Sequence, residues 1–294
     1  MKISLVRKDP QYVEGVEKSP RLDKHFQSDV RGLHVVGAAA GSPLLKTCIN
    51  QGVEVMRAIA RLEKPSGAVP GPDGPYDVVI VGAGPAGISA AMEAAKRGFS
   101  YVVLEKLRPF DTVHNFPEGK HVYAEPASMA VLGELWLEDS TKEQLLERWG
   151  AALSKLRLVT GAEVKKIARE GKHLSVELSS GRTVKAKRVV LAIGRMGNPR
   201  RLGVEGEDLP WVSYRLLNPA KVSGKRVVVF GGGNSAAEAA LALLDRNEVT
   251  LVHRGADFPR LSKENRARLE KAEKEGRIRI VRQGRARAFR DGKV

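Results

Sequence analysis

Two stretches of this sequence have residue types and spacing suited to holding a phosphate. The first is Gly82-Ala83-Gly84-Pro85-Ala86-Gly87, which directly follows the β-branched run Tyr76-Asp77-Val78-Val79-Ile80-Val81 and opens a helical pattern. In a strand-turn-helix, the first glycine permits the tight turn and the second lets a pyrophosphate approach the backbone. The third lets helix and sheet pack closely, and the helix N-terminus stabilises the phosphate charge. Glu105 follows Gly87 by 18 residues and ends the next strand pattern, Tyr101-Val102-Val103-Leu104. A carboxylate there accepts hydrogen bonds from a ribose diol, and Lys106 stands beside it.

The second stretch repeats the plan as Val227-Val228-Val229-Phe230 followed by Gly231-Gly232-Gly233-Asn234-Ser235-Ala236, a GxGxxA version of the loop. The strand after it ends in Val252-His253-Arg254 instead of an acid. A guanidinium there pairs with a 2′-phosphate that a carboxylate would repel, which favours NADPH over NADH. A solvated strand end is the competing reading for His253 and Arg254, because this half of the chain is rich in basic residues.

Both loops need strands and helices to hold them. The helix after the first loop is expected to end at Gly98, a left-handed cap. A helix is expected over residues 142 to 153. Short alternating segments near 156 to 160, 163 to 169 and 173 to 190 predict a small antiparallel meander, with turns at Glu170-Gly171 and Ser180-Gly181. The run Val189-Val190-Leu191-Ala192-Ile193-Gly194 reads as a buried strand returning to the main sheet. Ahead of the first loop, residues 66 to 75 are rich in Pro and Gly and read as a linker. Before that linker, Gly32-Leu33-His34-Val35-Val36-Gly37 predicts a strand, with Ser42 as N-cap and Pro43 opening a helix to Leu62. The fold class expected is therefore α/β, with two Rossmann-like dinucleotide-binding folds built on parallel sheets in three layers. The expected boundaries are 1-65, linker 66-75, first domain 76-220 and second domain 221-294.

Composition narrows the function classes. At 294 residues and 42% hydrophobic content the chain can bury a real core. Its 50 lysines and arginines exceed 34 acids, giving +16, so acidic ligands are drawn to it. Basic and acidic residues are interspersed, as in Glu264-Asn265-Arg266-Ala267-Arg268-Leu269-Glu270-Lys271, which argues against specific nucleic-acid binding. The single cysteine, Cys48, excludes an internal disulfide, a CxxC pair and a cysteine-rich metal site within these residues. It reads as a small buried apolar residue, and a lone redox thiol is the alternative. No metal site is expected. The first residues lack an apolar run of signal-peptide length, and the glycines at 82, 84 and 87 interrupt the run from 78 to 95, so a cytoplasmic protein without a membrane span is expected.

Two such loops separated by a meander resemble the two-dinucleotide-binding flavoproteins related to thioredoxin reductases and bacillithiol disulfide reductases. That resemblance implies FAD in the first fold and NADPH in the second. Val190 to Gly194, Asn198-Pro199 and Gly203-Val204-Glu205-Gly206-Glu207-Asp208-Leu209-Pro210 look like the family's connection between those folds. His114-Asn115-Phe116-Pro117 and Val122-Tyr123 sit where the family has a flavin-proximal loop, with Asn115 as a contact and His114 and His121 as candidate proton donors. The implied activity is hydride transfer from NADPH to FAD and on to an unknown acceptor, without a CxxC pair. Catalytic residues at the flavin ring are not assigned, and a homodimer is one option for the assembly. A flavin-containing monooxygenase is the alternative, although no FxGxxxH signature precedes the second loop. A non-catalytic nucleotide-binding module is another.

One feature departs from the family's order. Residues 32 to 43 and the helix carrying Asn50-Gln51-Gly52 resemble the segment that, in the family, comes last and closes over the flavin, with Ala38 where an Asp is common. The sequence is also expected to stop short of a complete NADPH domain. A circular permutation, a degenerate remnant, or a fragment of a tandem array would each account for this, and the fragment is the expectation. Ten extended linker residues reach up to about 33 Å, enough for the early segment to fold back.

Overall fold

A computed structural model describes residues 20–68, 70–71, 74–195, 201–290 and 292. The amino-terminal 19 residues and Asn198-Pro199 of the expected connection lie outside these. The chain divides into two compact units, the first comprising residues 1–114 and 119–197 and the second 115–118 and 198–294.

The first unit contains β1 (Leu33–Val35), α1 (Leu45–Leu62), β2 (Tyr76–Val81), α2 (Pro85–Lys96), β3 (Tyr101–Leu104), α3 (Asp111–His114), β4 (His121–Val122), β5 (Ser140–Thr141), α4 (Lys142–Leu153), β6 (Leu158–Val159), β7 (Val164–Glu170), β8 (His173–Leu178) and β9 (Thr183–Leu191). Its main sheet runs β6-β3-β2-β9-β8-β7, with β1 also on β9. β9 changes partner midway. Residues 183–186 pair antiparallel with β8, while the apolar end from Ala186 to Leu191 lies parallel to β2, with Val189 to Leu191 also parallel to β1. The returning strand expected from sequence is therefore present. The segment near 156–160 differs: β6 pairs parallel with β3 and is no part of the meander. Two ladder contacts, Val103 to Leu158 and Leu104 to Val159, place it at the sheet edge, a long-range pairing that alternation alone does not reveal.

One sheet face, carrying Leu33, Val35, Val79, Val81 and Leu104, is buried with Ile167, Leu174 and Val176 of the meander. Helix α2 packs on β2 and β3, and α1 packs along α2. On α1, Ile49, Val53, Met56 and Ile59 recur at helical spacing and are fully buried. Each contributes about 2 kcal/mol by leaving water. The segment before the linker is thus part of the first unit's core, added to its sheet through β1. The helix starts later than its sequence suggested. Leu44 is the N-cap, with extended backbone and no side-chain cap, so Ser42 and Pro43 precede the helix. The Ser42 carbonyl instead accepts a hydrogen bond from Cys48 Sγ. Gly98 closes α2 as expected, in the left-handed region at φ 73°.

The base of the sheet is pinned by buried charge. Asp77, 2% exposed, accepts from Ser66 N (2.8 Å), Ser66 Oγ (2.7 Å), Ser100 N (2.9 Å) and Lys187 Nζ (2.7 Å). Glu63, just past α1, pairs with the buried Arg188 of β9 at 2.8 Å, and Arg188 also reaches Gln27. Burial pushes the Asp77 carboxyl up, but Lys187 and the Ser66 and Ser100 donors outweigh it and hold the group down at about 2. A carboxyl lowered in the folded state stabilises the fold above its ordinary value near ~4 and loses that contribution as pH falls toward the folded value. Asp77→Asn is therefore expected to cost about 2–3 kcal/mol at neutral pH and to flatten stability between about pH 4 and 2, read by urea unfolding across pH. Parallel pH curves for the two proteins would overturn that assignment.

The second unit contains β10 (Arg226–Phe230), α5 (Asn234–Leu243), β11 (Glu248–His253), α6 (Lys263–Lys274) and β12 (Ile278–Arg282). The three strands form a parallel sheet in the order β10-β11-β12. Val249, Leu251 and Ile278 are buried with Ala240 and Leu243 of α5 and with Leu269 and Ala272 of α6. The strand-helix-strand repeat expected from the second glycine loop is present, with α6 and β12 added.

Candidate dinucleotide sites

At the end of β2, the glycine loop is held from three directions. Gly82 has φ 100°, and a Cβ there would lie 2.5 Å from the Ala192 carbonyl. A Cβ on Gly87 would lie 1.9 Å from the Gly82 carbonyl, so helix and strand meet at a distance that no side chain permits. Ala83 N donates to Glu105 Oε2 at 2.7 Å, and the Ala83 carbonyl accepts from Phe110 N at 2.9 Å. Gly84 is the N-cap of α2, Pro85 takes the first turn, and no acidic residue lies in that turn. Space beside Gly84 is open where its Cβ would stand. An uncapped helix start facing open space is a receptor for an anion.

Glu105 stands at the end of β3 as expected, with Oε1 accepting from Leu107 N at 2.8 Å. Each carboxylate oxygen already takes one backbone donor, which fixes the group while leaving lone pairs for a diol. Lys106 is turned to Glu163 in an exposed pair of 2.8 Å. Gly194, at φ 64°, follows β9 and is half-buried. Asn115 groups with residues 116–118 in the second unit. His114 lies in the first unit, its pKa lowered by burial and by Arg108 and Lys142. His121 is exposed and meets Tyr123 edge-on at 4.6 Å.

The segment before the linker also reaches this site. Gly37 N donates to Gln51 Oε1 at 2.7 Å. A Cβ on Gly37 would meet the Ala86 Cβ at 3.0 Å, and one on Gly52 would lie 2.2 Å from the Ala86 carbonyl. The middle of α1, around Gly52, and the first turn of α2 are therefore neighbours. The Asn50-Gln51-Gly52 sequence carries a family resemblance, but the contact of Gly52 with Ala86 lies across 34 residues of sequence and has no local signal.

In the second unit Gly233 is the N-cap of α5, again with no acid in the first turn and open space beside it. Gly231 is packed so that a Cβ would meet the Ala236 Cβ at 2.7 Å. Asn234, expected at the ligand, uses Oδ1 to accept from Ser262 N (2.8 Å) and Asn265 Nδ2 (3.2 Å), fastening the loop to the start of α6. Ser235 follows it in the first turn of α5. His253 is buried beneath the loop: its ring fills the space of a Gly232 Cβ and stacks on Phe258 at 4.7 Å. It shapes the loop from below, in contrast to the solvated strand end considered from sequence. Arg254 is exposed just past the end of β11. Arg260 escaped the sequence reading; its backbone bridges Gly233 in parallel. No group of His, Cys, Asp and Glu suited to a metal occurs among the described residues, nor does a helix long and apolar enough to cross a membrane.

Residues 79–293 match the family model described as pyridine nucleotide-disulphide oxidoreductase. A ferredoxin–NADP reductase of Ignicoccus hospitalis is 33% identical over 62% of this chain and 57% of its own length. That of Thermus thermophilus is 34% identical over 70% of this chain and 61% of its own length. The chain thus spans about three-fifths of these curated relatives. Among solved structures, a bacillithiol disulfide reductase from Bacillus cereus aligns with TM-score 0.65 and 25% identity, covering 74% of this chain and 73% of that chain. A T. acidophilum thioredoxin reductase aligns with TM-score 0.57 and 26% identity over 74% and 67% of the two chains.

Proposed function

Because the chain belongs to the pyridine nucleotide-disulphide oxidoreductase family, we propose that it binds FAD at the first glycine loop and NADPH at the second, and passes hydride from NADPH through FAD to an acceptor. One observation carries this reading: two glycine-started helices lack a side-chain cap and have open space beside the capping glycine, with Glu105 bonded to the first loop and Arg254 exposed just past the strand that follows the second. Both loops suit a phosphate: no acid lies in either helix's first turn, and the space beside Gly84 and Gly233 is open. When bound, the two cofactors supply the hydride chemistry. The chain's residues bind and orient: the α2 and α5 N-termini hold pyrophosphate, Glu105 accepts from a ribose diol, and Arg254 pairs with the 2′-phosphate. Cys48 is the single cysteine, so these residues form no intrachain disulfide to accept electrons, and burial pushes its thiol up to about 11.

An anaerobic NADPH titration of the FAD-reconstituted chain, followed by flavin absorbance, tests the reading. Stoichiometric bleaching is expected; flavin that binds and stays oxidised would overturn it. In the same assay Arg254→Ala is expected to weaken NADPH by about 10- to 100-fold and NADH by less than about threefold, since one charge-assisted pair contributes about 1.5–3 kcal/mol. Equal losses would remove Arg254 from the site.

A further inference from the structure

We propose that Lys46 and Asn50, which come from the segment before the linker, are positioning residues that clamp the loop between β4 and β5 and thereby complete the wall of the first dinucleotide site. The inference rests on the proposed placing of FAD at that site. Between Val122 and Ser140 the chain forms no helix or strand. An excursion of that length is rarely left to itself in a compact domain. Residues 127 to 130 are exposed, and Met129 is open to solvent, so little apolar burial holds this stretch. Leu135 and Leu137 are buried farther along, while residues 126 to 132 are attached by polar bonds from α1. Lys46 Nζ donates to the Pro126 carbonyl at 2.7 Å. Asn50 Nδ2 donates to the Ala130 carbonyl and Asn50 Oδ1 accepts from Leu132 N, both at 2.8 Å. Both side chains are 5% exposed.

The two residues are four apart, one helical turn, so they lie one above the other on the same side of α1. Gly52 faces α2 from a different side of the helix, against Ala86 at the start of the phosphate-binding turn. Helix α1 is therefore an intermediate layer: one side supports the glycine loop and another carries the 126–132 backbone. Near the loop's other end, the β4–β5 pair holds its two stems together, and Phe110 N binds the Ala83 carbonyl. The same helix thus touches both Ala86 at the start of α2 and the loop at residues 126 to 132. Burying an ammonium without a carboxylate is costly, and among the described residues Lys46 has no ion pair. A fixed loop is what that cost secures.

The test uses the whole chain and FAD as probe. Asn50→Leu removes both amide bonds, and Lys46→Met removes the third at similar length. Amide exchange and FAD fluorescence are read at a temperature where each variant keeps the wild-type circular dichroism, with NADPH binding as the control for the other unit. The expected result is faster exchange at Leu132, with FAD affinity falling about tenfold or more and NADPH affinity unchanged. Lys46→Arg, which keeps a donor, should restore FAD affinity to within about threefold of wild type. Exchange that quickens with FAD affinity unchanged, or exchange that does not change, overturns the clamp. If a variant fails to fold, Asn50→Ser, smaller and still polar, takes its place under the same two readouts. If the unmodified chain binds no FAD, the cofactor placing itself fails; if it binds and the variants bind equally, only the clamp fails.

Discussion

Gly52→Val is expected to abolish the folded first unit at physiological temperature, and Gly52→Ala to destabilise it by about 3 kcal/mol or more. The reason is geometric. A Cβ at position 52 would stand 2.2 Å from the Ala86 carbonyl and 2.9 Å from Ala90 N, both backbone atoms that cannot rotate aside. Helix α1 would have to lift from α2, uncovering Ile49, Val53 and Ile59, which are now fully buried. Lifting it also moves Gly37 and Gln51 away from Ala86, so FAD binding should be lost with stability. Thermal unfolding of the alanine variant measures the first effect, and FAD fluorescence the second. An alanine variant as stable as the parent would mean that α1 does not dock on α2 in solution, and with it the contribution of residues 33–62 to this unit would fall.

The second large effect concerns Glu105. Glu105→Ala should weaken FAD by about 100-fold or more while leaving NADPH binding intact. Two losses combine: hydrogen bonds to a charged acceptor contribute about 1.5–3 kcal/mol each, and Ala83 N is left without its partner. Glu105→Gln should fall between the two, because an amide keeps one oxygen able to accept but loses the charge. Isothermal titration with each cofactor separates the sites. If alanine weakens NADPH as much as FAD, the carboxylate is a general prop of the fold and not a ribose ligand.

What could be read in the residues was whatever depends on near neighbours. Both glycine loops, the caps around Gly98, the helix over 142–153 and the strand ending at Glu105 follow from composition and spacing within a few turns, and they stand where expected. Partners far apart in sequence were harder. The pairing of Leu158 with Val103 looks locally like one more alternating segment. Ser42 and Pro43 had the chemistry of a helix start, yet the chain stays extended through Leu44, and Leu45 opens the helix. His253 carried a basic label at a strand end, and only the packing of Gly232 and Phe258 reveals that its ring is an internal spacer. The Asp77 cluster joins residues 66, 77, 100 and 187, a set with no spacing rule behind it. The same holds for Lys46 and Asn50, which reach a loop 80 to 82 residues away.

The hydrogen bond from Ser66 to Asp77 brings the end of α1's trailing segment to the foot of β2, so the connection across residues 67 to 75 spans a short gap although its contour could cover far more. A covalent tether sets a local concentration, on the order of millimolar when it is short. Residues 33–62 therefore meet the rest of their unit as a permanently available ligand meets its receptor, whatever the dilution of the protein. Cutting the exposed bond between Gly67 and Ala68 would turn that closure into an ordinary association between two polypeptides, with a dissociation constant that measures directly how tightly the early segment is held.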